Sequence, residues 1–123
     1  MAKFVYKVGK EEVVREGDRV SIGTRSTCSF TLDDPLAADL HCDIVLRGQE
    51  FVIIDRETSL GTYVNGLAVE APRTLADGDE IVIAVSRIKV KLAGDTLELA
   101  VDRSRCNLAI VRNVLAKHVG AFS

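Results

Sequence analysis

The chain is short of several features that would narrow its role at once. Of its 123 residues only three are cysteine, Cys28, Cys42 and Cys106, and no two form a Cys-x-x-Cys pair. An odd, scattered set argues against a disulfide scaffold and fits a reducing compartment. No window approaches the roughly 20 apolar residues that a spanning helix needs. The opening stretch MAKFVYKVGKEEVV is broken by charge where a secretion signal has an apolar run. Formal net charge is only −2, so no strong field draws nucleic acid or an anionic membrane. The phosphate-cradling pattern Gly-x-x-x-x-Gly-Lys-Ser/Thr is missing, as are internal repeats and low-complexity linkers. The expectation is a cytoplasmic protein or domain without direct membrane insertion; a membrane-anchored parent protein stays open.

What is present reads as a globular β protein. Hydrophobic residues make up 47% of the chain and charged residues 28%, enough to build a core at this length. The segments KFVYKV (3–8), RVSIG (19–23), SFTL (29–32), CDIVL (42–46), FVIID (51–55), EIVIAV (80–85), RIKVKL (87–92) and TLELAV (96–101) are rich in Val, Ile and Leu. Several alternate apolar and polar residues with the period of a half-buried strand. Between them lie reversal signals: Gly9-Lys10, Gly17-Asp18, Asp33-Asp34-Pro35, Arg47-Gly48-Gln49, Asn65-Gly66, Asp77-Gly78-Asp79 and Gly94-Asp95. Many short strands at this spacing predict a sandwich or barrel over residues 1–101. The tail, 102–123, differs. After Ser104, a suitable N-cap, Leu108, Val111, Leu115 and Val119 fall on one helical stripe and Gly120 suits a C-cap. That pattern predicts an amphipathic helix over 104–120, packed on the β domain, docked on a partner, beginning a second element of a longer protein, or joining two copies as a homo-oligomer.

Three landmarks then fall in order: SIGTRSTCSFTLDDPLAADLHCDI, TSLGTYVNG and TLADGDEIVIA. Together they resemble the forkhead-associated (FHA) domain, over roughly residues 4 to 92. Its signature runs Gly-Arg, Asp-Pro, Ser-Arg-x-His, Ser-x-Asn-Gly-Thr-x-Val-Asn-Gly and Leu-x-x-Gly-Asp-x-Ile. The resemblance implies an all-β, FHA/SMAD-like β-sandwich of about 10–11 short strands, here with a C-terminal α-helix. It also implies a non-enzymatic module that binds a protein partner, through loops that in the family hold phosphothreonine peptides. Gly23, His41, Gly61, Thr62, Asn65 and Gly66 match structural positions of the signature, as do Leu32, Asp34-Pro35, Leu75, Gly78-Asp79 and Ile81. The resemblance gives His41 the task of holding loop geometry.

The ligand positions of the signature are altered. Thr24 stands for the Gly-Arg arginine, Ala38 and Asp39 for the serine and arginine of Ser-Arg-x-His, Leu60 for the asparagine of the second motif and Thr58 for its serine. A phosphate with nearly two negative charges is normally held by charge-assisted donors, each worth about 1.5–3 kcal/mol. Their loss predicts recognition that does not depend on phosphothreonine. Over the presumed apical loops two arginines, Arg25 and Arg56, face four acids, Asp33, Asp34, Asp39 and Glu57, for a local net of −2. The alternative is a phosphothreonine reader in a kinase signalling pathway using Arg25, one residue beyond the family position, with Ser26, Thr27, Thr58 and Ser59 nearby. A further alternative, by likeness to FHA-type modules of bacterial secretion rings, is a cytosolic scaffold domain of a secretion or membrane complex. Leu60 is either an apolar anchor for a partner or a plug turned into the loop.

Other chemistry has less behind it. His41 with Asp39, Asp43 and Ser59 is not a triad by sequence proximity alone. His41 and Cys42 are neighbours in a strand and face opposite sides, so sharing a metal with Cys28 is geometrically awkward. No cofactor, catalytic residue or metal ligand is expected.

Overall fold

The computed structural model describes residues 2–102. Twelve strands form two mixed sheets. Strands β1 (Ala2–Val8), β2 (Glu11–Gly17), β7 (Thr62–Val64), β8 (Leu67–Ala68), β10 (Glu80–Ile83), β11 (Ser86–Ala93) and β12 (Thr96–Asp102) build one. In space their order is β2-β1-β12-β11-β10-β7-β8. The second sheet contains β3 (Arg19–Gly23), β4 (Phe30–Thr31), β5 (Cys42–Arg47), β6 (Glu50–Asp55) and β9 (Arg73–Thr74), in the order β4-β3-β5-β6-β9. The eight segments predicted as strands are all strands. The 104–120 helix expectation lies outside the described residues.

The pleat explains why the sequence alternates. In β12, Leu97, Leu99 and Val101 point into the sandwich while Thr96, Glu98 and Ala100 point outward. Ile88 and Val90 do the same across from them in β11, with Lys89 and Lys91 in solvent. The first and last described strands run parallel, pairing Phe4 with Leu97 and Tyr6 with Leu99. Aromatic contacts tie this sheet to the other. Tyr6 stacks on Phe30 with ring centroids 4.8 Å apart, and Phe4 meets Phe51 edge-on at 5.4 Å. Ile22, Leu32, Ile44, Ile53, Ile81 and Ile83 complete a core from which solvent is excluded.

Four of the strands are not among the eight predicted segments, and the reasons are physical. β2 is an edge strand, and of its residues Glu11, Glu12, Val14, Arg15 and Glu16 are exposed, so it carries charge rather than an apolar alternation. β7 is legible only as a short strand inside TSLGTYVNG, while β8 and β9 are two residues each and are made by their partners. The predicted strand 80–85 ends earlier, at Ile83, because Ala84 turns the chain with φ +53° and Ile83 pairs with Ser86.

That turn is held from afar. Asp34 is buried, and one carboxylate oxygen accepts the Val85 N–H at 3.1 Å and the Ser86 hydroxyl at 2.7 Å, while the other accepts the Leu36 N–H at 3.0 Å. Asp34 therefore fastens the loop after β4 to the β10–β11 turn and belongs to the scaffold, not to the acidic tip counted from sequence. Asp34→Ala is expected to cost about 2–3 kcal/mol, the loss of hydrogen bonds to a charged group with buried donors left unpaired. Urea denaturation measures it; a loss below about 0.5 kcal/mol would contradict the fastening role.

Candidate functional site

The loops after β3, after β4 and after β6 meet at one end of the sandwich, and backbone bonds bring them there. Thr24 N–H donates to Ala38 C=O at 3.1 Å, Arg25 N–H to Asp39 C=O at 3.3 Å, and Arg56 N–H to His41 C=O at 3.0 Å. Gly23 makes the first junction possible. An ideal Cβ placed on it would sit 2.0 Å from the Asp39 carbonyl oxygen, so only glycine lets the end of β3 lie against residues 38–40.

His41 is the pin between the second and third loops. It has no exposed surface. Its Nδ1 accepts the Ala38 N–H at 3.0 Å, which places the ring proton on Nε2, and Nε2–H donates to the Gly61 carbonyl at 2.9 Å. Thr58 completes the lock: its hydroxyl donates to Asp55 Oδ1 at 2.9 Å and accepts the Gly61 N–H at 3.1 Å. Thr62 donates to the same Asp55 oxygen at 2.7 Å, and the Thr58 N–H reaches the other at 3.1 Å. Gly61, at φ +78°, supplies a backbone shape that other residues adopt only with strain. His41 thus ties residue 38 to residue 61 across the two loops. Sequence reasoning missed Asp55 as the hub of the loop; an acid at the end of a strand three residues before a threonine is the local signal for such a turn.

The next motif closes the side of the site. Asn65 (φ +52°) and Gly66 (φ +83°) form the two-residue turn between β7 and β8. The Asn65 amide donates to Asp79 Oδ1 at 2.9 Å and its oxygen accepts the Glu80 N–H at 3.0 Å. The Asn-Gly and Gly-Asp motifs thus touch each other.

The mouth of the loops carries Thr24, Arg25, Ser26, Thr27, Ala38, Asp39, Ser59 and Leu60. Arg25, Ser26, Thr27, Asp39 and Ser59 are exposed; Thr24, Ala38 and Leu60 are half-buried. Leu60 is thus partly exposed at the mouth. The Thr24 hydroxyl donates to Asp39 Oδ1 at 3.0 Å, and Arg25 Nη2 stands 3.6 Å from Asp39 Oδ2. Arg56, counted from sequence as facing the tip, leans on the buried Asp43 instead (3.5 Å), which also holds Arg19 at 2.6 Å. Asp43 is thus committed to two arginines and not to His41. Burial, with Asp43 and Asp55 nearby, pushes the Cys42 thiol up, so it is a neutral core side chain. Among the described residues no cluster of three or more His, Cys, Asp or Glu side chains is placed to hold a metal ion. Nor is any helix among them long and apolar enough to cross a membrane.

The family model for the FHA domain matches residues 7–84, the span that holds this loop lock. The chain belongs to the FHA domain family. One curated relative, the glycogen accumulation regulator GarA of Mycolicibacterium smegmatis, is 35% identical over 68 residues. The match covers 55% of this chain and 42% of GarA, so this chain spans less than half of that relative. A domain solved in a study of phosphothreonine-dependent FHA domain interactions is 26% identical with a TM-score of 0.64, over 75% of this chain and 95% of that one. The FHA domain of FhaA, solved with the intracellular domain of a second protein, is also 26% identical, with a TM-score of 0.61 over 72% of this chain and 96% of its own. EmbR of Mycobacterium tuberculosis, solved with a low-affinity phosphopeptide, shares the fold at a TM-score of 0.66 and 22% identity, over 76% of this FHA chain and 25% of EmbR.

Proposed function

We propose that this FHA domain is a non-enzymatic protein-interaction module of the cytoplasm whose binding loops recognise their partner without a phosphothreonine. The observation that carries this reading is Asp39. It stands at the signature's second arginine position, and its carboxylate accepts the Thr24 hydroxyl at 3.0 Å with Arg25 at 3.6 Å. An anion belonging to the chain itself occupies the donors at the mouth, and a phosphate arriving there meets like charge. Ala38 offers no hydroxyl and half-buried Leu60 offers an apolar surface in place of an amide. EmbR with its phosphopeptide and FhaA with its protein partner support protein binding by this fold. The altered residues at the mouth are what favours recognition without phosphate.

A second reading has one observation in its favour. Arg25 is about half exposed and its ion pair is long, worth at most about 1 kcal/mol as a surface contact, so the guanidinium is free to turn to another anion. Titration with a degenerate phosphothreonine peptide pool, read by fluorescence anisotropy, separates the two. No saturable binding up to about millimolar peptide, a limit near −4 kcal/mol, is the expected result. Micromolar binding that Arg25→Ala abolishes would replace the first reading with the second.

A further inference from the structure

The sandwich is open along one side. There the edge strand β2 of one sheet and the edge strand β4 of the other leave a recess of about 370 Å³. Its floor is apolar, formed by Tyr6, Val8, Val13, Phe30, Leu32 and Val101. Val8 and Val13 are only partly buried although they pack on the core. Glu11 and Asp33 line its polar side with Arg15, while Glu12 and Glu16, at the alternate positions of β2, face the other side of the sheet. The floor includes Val101, the penultimate described residue, so the chain leaves the sandwich at the wall of this recess.

The segment that follows is complementary in both respects. Residues 103–123 carry four basic side chains, Arg103, Arg105, Arg112 and Lys117, and no acid; the first 102 residues hold the other twelve basic and all eighteen acidic residues, a net of −6. Its apolar residues Leu108, Val111, Leu115 and Val119 recur on a helical stripe. Seventeen residues, 104–120, reach about 25 Å at 1.5 Å per residue, enough to run along the open edge. We infer that the β2–β4 recess is the seat of this chain's own 104–120 segment, with the Leu108-Val111-Leu115 stripe on the Val8-Val13-Phe30 floor and its basic side chains toward Glu11 and Asp33. Attachment through one or two residues makes the encounter intramolecular, which favours the segment of the same chain over a separate partner at ordinary concentrations.

Amide hydrogen exchange of the full 123-residue chain tests this, comparing wild type with L108E/L115E, changes at positions beyond the twelve strands. Exchange in β2 (11–17) and in 28–33 is expected to speed up at least tenfold in the variant, with β5 and β6 unchanged. Val13→Glu, on the groove side, is expected to speed up exchange in 108–119 by a similar factor, and raised salt to do so more weakly. Equal protection of β2 and 28–33 in wild type and L108E/L115E would overturn the assignment. So would light scattering that shows a concentration-dependent dimer lost in L108E/L115E, because the seat would then take the segment of a second copy.

Discussion

The combined variant T24R/A38S/D39R/L60N is expected to bind a phosphothreonine peptide at least 100-fold more tightly than the wild-type chain. The fold already provides the frame for such a site. Gly23 sets the close approach of the first two loops, His41 ties Ala38 to Gly61, and Asp55 with Thr58 fixes the third loop. These contacts are made by backbone or by residues that the four substitutions leave alone. The replaced side chains are exposed or half-buried, so surface-like changes there are expected to cost little stability. In exchange the mouth loses the Asp39 carboxylate, which holds Thr24 and Arg25, and gains two guanidinium groups, a hydroxyl and an amide. Two charged hydrogen bonds at about 1.5–3 kcal/mol each, against about 1.4 kcal/mol per factor of ten, give the hundredfold as a lower bound. Calorimetric titration with phosphorylated and unphosphorylated forms of one peptide measures it. A folded variant with no preference for the phosphorylated form would show that these positions do not surround the phosphate seat. D39A alone is the informative intermediate: a partial gain that R25A removes would mean that Arg25 is a latent donor released from its carboxylate.

The core strands are legible in the sequence because a buried strand in a sandwich must alternate, as Leu97, Leu99 and Val101 do. The turns at Asn65-Gly66 and Gly94-Asp95 are legible because positive φ selects a short list of residues. β2 is not, since an edge strand needs no apolar alternation and is protected by charge. Motif spacing locates the candidate mouth, but its internal wiring is out of reach of any local pattern. Thr24 and Asp39 are fifteen residues apart, and Asp34 is fifty-one from Val85. Neither separation leaves a mark on the residues in between, so the sequence shows an acid in place of an arginine without showing that the acid already has partners. The same blindness puts Asp34 and Arg56 at the tip, whereas the first fastens a distant turn and the second leans on Asp43.

Gly23→Ala is expected to destabilise the domain by about 3–5 kcal/mol, a large share of the roughly 5–15 kcal/mol typical of a domain. The added methyl would lie 2.0 Å from the Asp39 carbonyl oxygen, 2.7 Å from its carbonyl carbon and 3.0 Å from the Leu40 Cα. All three are backbone atoms, so no side chain can swing aside to make room. Residues 38–40 would have to retreat by more than an ångström from the end of β3. That movement strains the Thr24–Ala38 and Arg25–Asp39 backbone bonds and the Cys28 thiol's bond to the Asp39 carbonyl at 3.3 Å. The equivalent of two bonds at about 1 kcal/mol each, together with about 1–3 kcal/mol for forcing atoms into a filled space, accounts for the figure. Urea denaturation should show a lower midpoint with an unchanged slope, since the surface exposed on unfolding stays the same. A loss below about 1 kcal/mol would mean that the second loop moves freely against the first, and the site would then not be preorganised by its scaffold. Adding Gly23→Ala to the four-fold variant distinguishes shape from chemistry at the mouth. If the loops hold phosphate only when pressed together at Gly23, the phosphopeptide affinity gained from the four substitutions should be lost even below the unfolding transition, while every phosphate-binding side chain is still present.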